Sequence, residues 1–169
     1  MGSNIYGRAA ATRATLDALR AIVQTLRESS RRAELAVGLG GAQLFVLETL
    51  AESPALSLNE LAARTHTHQS SVSTVVSRLV ERRLVRRTRA AGDARRIELS
   101  LTPRGRRVLS EAPGAAQQHL VRSIEQLPLH SARTLASLLE AVARGIDGGR
   151  RRPPMFFSDT RRKARSRHA

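Results

Sequence analysis

The sequence contains no cysteine and no tryptophan, and aromatic residues make up only 2% of its 169 residues. Without cysteine the chain can form no disulfide, no thiolate metal site and no cysteine redox switch. With so few aromatics, we expect a hydrophobic core of Leu, Val, Ile and Ala. No apolar run approaches the roughly 18 residues that span a membrane, and no secretory h-region follows the N-terminus. These absences predict a soluble cytoplasmic protein.

Lysine and acidic residues are also scarce. Of 29 basic residues only Lys163 is not arginine, and 14 acids leave a formal net charge of +15. The excess is local: residues 57–110 carry 12 Arg and 4 acids, residues 148–169 carry 8 basic residues and 1 acid, and the remainder is balanced at 9 and 9. The codon bias of a GC-rich genome explains arginine in place of lysine but does not explain a segment poor in acids. Clustered positive charge is typical of polyanion binding.

Apolar residues at helical spacing predict a first helix from about Arg8 to Leu35 and a second from about Ala42 to Ala51. Ser57 and Glu60 then have the spacing of a capping box, in which each side chain satisfies a free N–H of the other residue. The short helix that they begin is interrupted at Thr65 by the segment THTHQ.

The next segment, QSSVSTVVSRLVE, predicts a helix with two unlike faces. Its apolar stripe follows the i, i+3, i+4, i+7 pattern: Val72, Val75, Val76 and Leu79. Its other face carries short polar side chains, mostly hydroxyls: Gln69, Ser70, Ser73, Thr74 and Ser77. Such a face can be an ordinary solvated surface. It also suits a helix that enters a major groove, because small hydroxyls can reach phosphates and base edges.

After Leu84 the period changes to two, and LVRRTRA and RIELSL read as antiparallel strands joined by the turn AGD. Thr102 and Pro103 then supply an N-cap and a first helical residue. Pro113 interrupts the helix that follows, and a last helix runs from about Ser131 to Ile146.

This order of elements predicts a mostly α protein with a small β-wing, a winged helix-turn-helix with flanking dimerisation helices. The predicted units are an N-terminal dimerisation helix at 8–37, a DNA-binding lobe at 38–110, C-terminal dimerisation helices at 111–147 and a flexible basic tail at 148–169. The tail should strengthen nonspecific DNA binding through counterion release without reading sequence.

These residues resemble the MarR family of transcriptional regulators. The resemblance rests on SSVSTVVSRLVERRLVRR, on the wing GDARRIELSLT and on TPRG, with Asp93, Arg95, Leu101, Thr102 and Gly105 in the register of the family's wing pattern. It implies that Arg95 reads the minor groove and that Asp93 fixes the wing. It also implies a homodimeric repressor on a pseudo-palindromic operator, associated with the bacterial nucleoid and released by a small aromatic or anionic effector.

The predicted DNA-binding residues lie on the second helix of the turn motif and on the wing: Gln69, Ser70, Ser71, Ser73, Thr74, Ser77, Arg78, Arg86, Arg87, Arg89, Asp93, Arg95 and Arg96. Ser70, Ser73 and Thr74 are expected to give major-groove specificity. The four wing arginines other than Arg95 are expected to contact phosphate.

One residue departs from the family pattern. The family usually has Gly, in a left-handed conformation, where this chain has Arg83. A non-glycine residue there costs roughly 1 kcal/mol. Either a phosphate contact by Arg83 offsets that cost, or the helix ends differently.

Other functions fit the sequence less well. It has no glycine-rich phosphate loop and no paired carboxylates on an apolar helix, so we expect neither an enzyme nor a cofactor. His66 and His68 lie in a polar turn without a nearby acidic or cysteine partner in sequence, so we expect no metal site. The serious alternative is a winged-helix architectural protein that compacts DNA and takes no small-molecule signal, because nonspecific binding requires only charge.

Overall fold

The computed structural model describes residues 2–90 and 93–147, which form seven helices and one two-stranded antiparallel sheet. The elements are α1 (Gly2–Val37), α2 (Gly41–Glu52), α3 (Leu58–Arg64), α4 (Gln69–Glu81), β1 (Val85–Ala90), β2 (Asp93–Leu101), α5 (Pro103–Glu111), α6 (Ala116–Glu125) and α7 (Leu129–Asp147). The predicted winged helix-turn-helix architecture is confirmed. The predicted tail and two residues of the predicted turn, Ala91 and Gly92, lie outside the described residues.

The hydrophobic core lies in the middle of the chain, where α2, α3, α4 and the base of the sheet meet. Its fully buried side chains are almost all leucine and valine: Leu39, Leu44, Val46, Leu47, Leu50, Leu61, Val72, Val75, Val76, Leu79, Leu84 and Leu99. Among the side chains that the structure describes, the predicted contribution of isoleucine is wrong, because Ile22, Ile97, Ile124 and Ile146 are exposed and Phe45 is buried instead. The apolar stripe of α4 is therefore the face that attaches this helix to the lobe.

Local hydrogen bonds start the helices at the predicted places. Ser57 Oγ accepts from the Glu60 N–H at 3.3 Å and Glu60 Oε2 accepts from the Ser57 N–H at 2.7 Å, which completes the predicted capping box. Thr102 Oγ1 accepts from the Gly105 N–H at 2.9 Å at the start of α5, with Pro103 in the first turn. These caps fix where α3 and α5 begin.

Helix α4 ends in a left-handed turn at Arg83, whose φ is 59°. The Arg83 N–H donates to the Val80 carbonyl and the Leu84 N–H donates to the Leu79 carbonyl, both at 2.9 Å. This is the double hydrogen bond of a Schellman motif. The helix thus ends as it does with glycine, although an arginine occupies the strained position.

The turn packs against the start of α5. The Leu84 carbonyl accepts from the Thr102 N–H at 3.0 Å, and a Cβ on Gly105 would clash with that same carbonyl oxygen. Glycine is therefore required at position 105 by close backbone approach, which is the physical reason for TPRG.

Helices α1, α6 and α7 are together called the frame, and α1 and α6 pack against α2 of the lobe. The break between α5 and α6 is held from the other helices: Glu48 Oε1 accepts from the Ala115 N–H at 2.8 Å, and Ser29 Oγ accepts from the Ala116 N–H at 3.1 Å. Burial raises the pKa of Glu48, an effect that the hydrogen bond from Ala115 opposes. No residue of α7 from 129 to 146 is buried.

No single helix in the described ranges has the length and apolarity to cross a membrane. The bent pair Tyr6–Val37 and Gly41–Glu52 meets that test of length and composition only when taken together across a 78° bend.

We predict that Arg83→Gly raises the free energy of unfolding by about 1 kcal/mol, because glycine adopts positive φ without steric cost. Urea denaturation at one fixed protein concentration measures the change. The control is Arg82→Gly. Arg82 has a φ of −82° and donates to the Gly38 carbonyl at 2.6 Å, so the same substitution should lower stability there. A less stable Arg83→Gly protein would contradict the left-handed turn.

Candidate nucleic-acid interface

The exposed face of α4 lies opposite its buried valines. Ser70, Thr74 and Ser77 follow one another at i, i+4 and i+7, so they share one line along the helix. Ser70 and Thr74 are exposed and Ser77 is half-buried. Glu81 continues this line and is also exposed. Because Glu81 lies at the C-terminal end of this line, only the N-terminal part of the face is free of acidic residues. That part of the helix can approach a polyanion.

The other predicted residues of α4 flank this line. Gln69 is exposed in the first turn, whereas Ser71, Ser73 and Arg78 are half-buried. The Thr74 hydroxyl donates to the Ser70 carbonyl at 3.1 Å, so its remaining capacity is that of an acceptor. The polar face predicted from the sequence is therefore present, and its hydroxyl groups differ in exposure to solvent.

The wing presents five arginines against two acids between residues 85 and 101. Arg86, Arg87 and Arg89 lie exposed on β1. Arg86 Nε donates to the Ser100 hydroxyl of the facing strand at 3.0 Å, and Arg87 Nη2 donates to Ser77 Oγ at 3.3 Å. The second contact joins the wing to the polar face of α4, so the two predicted DNA-binding elements form one continuous surface.

Asp93 and Arg95 interact through the backbone. Asp93 Oδ1 accepts from the Arg95 N–H at 2.9 Å, a local turn that a carboxylate commonly forms two residues ahead. The Arg95 side chain is exposed. Asp93 thus shapes the backbone that carries Arg95, and its position is explained without a contact between the two side chains.

Arg96 is held against α3. Its Nη2 lies 3.0 Å from Oε1 and 3.1 Å from Oε2 of Glu60, and its Nε lies 3.7 Å from Oε1 of Glu98. Ser57, through its side chain and its backbone N–H, and then the nearby Arg96 guanidinium hold the pKa of Glu60 below its ordinary value. The contribution of this carboxylate to stability is therefore complete above its unfolded pKa and is lost only as the pH falls through the lower folded value.

The turn that leads into α4 has a polar attachment to the frame. His66 adopts a φ of 49°, and its Nε2 lies 3.0 Å from Oε1 of Glu125 on α6. The buried Thr65 donates its hydroxyl to the Leu61 carbonyl at 2.8 Å. His68 is the N-cap of α4, without a hydrogen bond from its side chain to the helix. Within the described ranges, no group of three His, Cys, Asp or Glu side chains could hold a metal ion.

Sequence reasoning missed three residues of this region. Glu60 was recognised only as a capping residue, Arg82 was given no structural role, and Glu125 was not singled out. Each forms its contact with a residue at least 36 positions away. Periodicity and local spacing contain no information on such pairs.

Comparison with known proteins gives consistent matches. A family model described as "MarR family" matches residues 37–96. The HTH-type transcriptional repressor MdtR of Bacillus subtilis (strain 168) is 30% identical over 128 residues, which cover 73% of this chain and 83% of that protein.

Two solved structures extend the comparison to the whole fold. Sco3205, a MarR family transcriptional regulator from Streptomyces coelicolor in complex with DNA, aligns with a TM-score of 0.53 and 26% identity over 82% of this chain and 87% of its own. A MepR-like protein complexed with pseudoligands aligns with a TM-score of 0.52 and 25% identity over 79% of this chain and 95% of its own.

Proposed function

This chain belongs to the MarR family of transcription regulators, and on that premise we propose that it is a ligand-responsive homodimeric repressor of a pseudo-palindromic operator. Members of this family regulate transcription and are not enzymes. The observation that carries the proposal is the contact between Arg87 and Ser77, which makes the hydroxyl face of α4 and the arginine wing one surface. The DNA complex of the relative from Streptomyces coelicolor supports the same use of this fold.

The two elements have different tasks in the proposed complex. The hydroxyls of Ser70, Ser73 and Thr74 read base edges in the major groove, where every base pair presents a distinct pattern. The exposed Arg95 enters the adjacent minor groove, whose negative potential attracts arginine when the groove is narrow. Arg86, Arg87 and Arg89 contact phosphate and supply affinity that does not depend on sequence.

The proposed dimer covers apolar surface on the frame. Helix α7 carries Leu138, Val142 and Ile146 along one side with exposures of 61%, 49% and 83%, and Leu16 and Ile22 of α1 are also exposed. An amphipathic helix with an uncovered apolar stripe requires a partner. A second copy of this chain meets the requirement with two-fold symmetry, which gives half-sites about one helical turn apart.

The proposed effector site is a groove of about 550 Å³ between the DNA-binding lobe and the frame, a volume within the ordinary range for small-molecule sites. Side chains of α2, of α3 with the turn after it, and of α6 line it. Arg122 Nη2 on α6 donates to Glu52 Oε1 on α2 at 3.0 Å, so an anionic ligand would compete for that guanidinium. Breaking this ion pair would loosen α6 from the lobe and change the distance between the two recognition helices of the dimer, which are the α4 helices of the two protomers. The MepR-like relative with pseudoligands supports a ligand site in this fold.

The test of the DNA-binding proposal begins with an operator selected from a random duplex library by the wild-type protein. Arg95→Ala should weaken operator binding and relax the A·T preference beside each half-site. Arg86→Ala should instead weaken operator and random DNA alike and lower the salt slope of log affinity by about 1. Fluorescence anisotropy across a salt series measures both. Equal affinity of the wild-type protein for the operator and for random DNA would favour the architectural alternative and contradict the repressor.

The dimer is tested by Val142→Arg, which introduces a charge into the apolar stripe of α7. We predict a monomer at micromolar concentration in sedimentation velocity, together with a loss of operator affinity, because one lobe contacts only one half-site. Ser137→Arg adds the same charge on the opposite side of α7 and should leave the dimer intact. A monomeric wild-type protein would overturn the assignment.

The effector site is tested with a panel of small aromatic carboxylates. We predict that at least one weakens operator binding. Arg64 lines the groove together with Arg122. Arg64→Gln removes its positive charge without breaking the Arg122–Glu52 pair, so it should abolish the response while preserving the affinity of the ligand-free protein. Arg107→Gln makes the same charge change on α5, away from the groove, and should respond as the wild type does. A response that survives Arg64→Gln would place the effector elsewhere.

A further inference from the structure

Residues 94–96 of the wing lie outside the regular pairing of its two strands. The strands pair in regular register from Val85 opposite Leu101 to Arg89 opposite Ile97. The register then shifts, and the next pair is Ala90 opposite Asp93. Residues 94–96 of β2 therefore have no cross-strand partner within the described part of the wing. Both Arg95 and Arg96 belong to this irregular segment.

Two side-chain contacts hold the segment in place of the ladder. Asp93 accepts from the Arg95 N–H at its start, and Arg96 pairs with both oxygens of Glu60 at its end. Glu60 is itself fixed, because it also accepts from the Ser57 N–H in the capping box of α3. Arg96 is thus anchored on a helix terminus and not on a mobile side chain.

This anchor lies well away from the backbone hydrogen bond that joins β2 to the segment ahead of α3. The Leu99 N–H donates to the Leu56 carbonyl at 2.7 Å and fixes the base of β2. Arg96 is three residues nearer the tip, about 10 Å along an extended strand. Arg95, the preceding residue, is exposed and takes no part in this ion pair, so anchoring Arg96 fixes the backbone next to Arg95 while the Arg95 side chain remains accessible.

We infer that Arg96 is a positioning residue: its ion pair with Glu60 sets the irregular segment of the wing so that Arg95 faces the DNA, and Arg96 itself is not a phosphate contact. The inference rests on the proposed DNA-binding function. It gives Arg96 a different task from Arg86, Arg87 and Arg89, although sequence alone groups these four arginines together.

The first test is Glu60→Gln. Glutamine at this position preserves the capping box and removes the ion pair. The inference requires operator affinity to fall roughly two- to five-fold, the range that the strength of an exposed ion pair allows, with an unchanged salt slope. The direction is diagnostic, because removing a negative charge beside DNA would otherwise raise affinity. A rise in affinity with a steeper salt slope would show that Glu60 restrains a phosphate-binding Arg96, and would overturn the inference.

The second test compares arginine variants. Arg96→Ala should reproduce the loss seen with Glu60→Gln, leave the salt slope unchanged and relax the A·T preference that Arg95 confers. The double variant should be no weaker than either single one, and Arg96→Lys should recover most of the affinity because an ammonium can still pair with Glu60. Arg86→Ala is the matched control, whose salt slope should fall by about 1.

The outcomes distinguish a failure of the positioning role of Arg96 from a failure of the proposed function. A salt slope that falls by about 1 in Arg96→Ala, or an affinity that does not change, would overturn the positioning role and leave the repressor intact. Wild-type protein that fails to prefer its selected operator over random DNA would overturn the proposed function itself. The side chains of Glu60 and Arg96 are both about half exposed. Thermal unfolding of each variant verifies that the lobe remains folded.

Discussion

The geometry of the DNA-binding lobe depends on one carbonyl group, that of Leu84. It accepts the Thr102 N–H at 3.0 Å and the Thr102 hydroxyl at 3.3 Å, while that hydroxyl also lies 2.7 Å from the Arg83 carbonyl. The end of α4, the start of β1, the end of β2 and the start of α5 all meet at this point. Gly105 completes it, because any side chain there would displace the carbonyl. The recognition helix α4, the wing and α5 are thus oriented relative to one another by a few directional bonds.

Directional polar contacts have the same effect between the lobe and the frame. Arg82 at the end of α4 donates to the Gly38 carbonyl after α1, and His66 ahead of α4 pairs with Glu125 of α6. The recognition helix is therefore attached to the frame near both of its ends. Apolar packing is non-directional and tolerates sliding, whereas hydrogen bonds fix an angle. Contacts of this kind suit the proposed dimer, in which the spacing of the two recognition helices determines affinity for the operator.

Local features of this protein were predictable from the sequence because their causes are local. The capping box at Ser57, the stripe of α4 and the cap at Thr102 each arise from residues within one or two helical turns. The shifted register of β2 was not predictable, because hairpin geometry decides it. The partner of Arg96 was equally hidden: a row of similar arginines gives no indication of which one meets an acid 36 residues away.

Backbone strain is concentrated around the recognition motif. The non-glycine residues with positive φ among the described ones are Ala55, His66 and Arg83, which precede α3, separate α3 from α4 and follow α4. Each costs of order 1 kcal/mol or more, and each persists because hydrogen bonds on both sides determine it. Glycine at these turns would remove that cost in the folded chain but would add conformational freedom to the unfolded one, so the two effects of a side chain on stability oppose each other. The three turns determine how the chain enters and leaves α3 and α4, and so how α4 is set relative to the rest of the lobe.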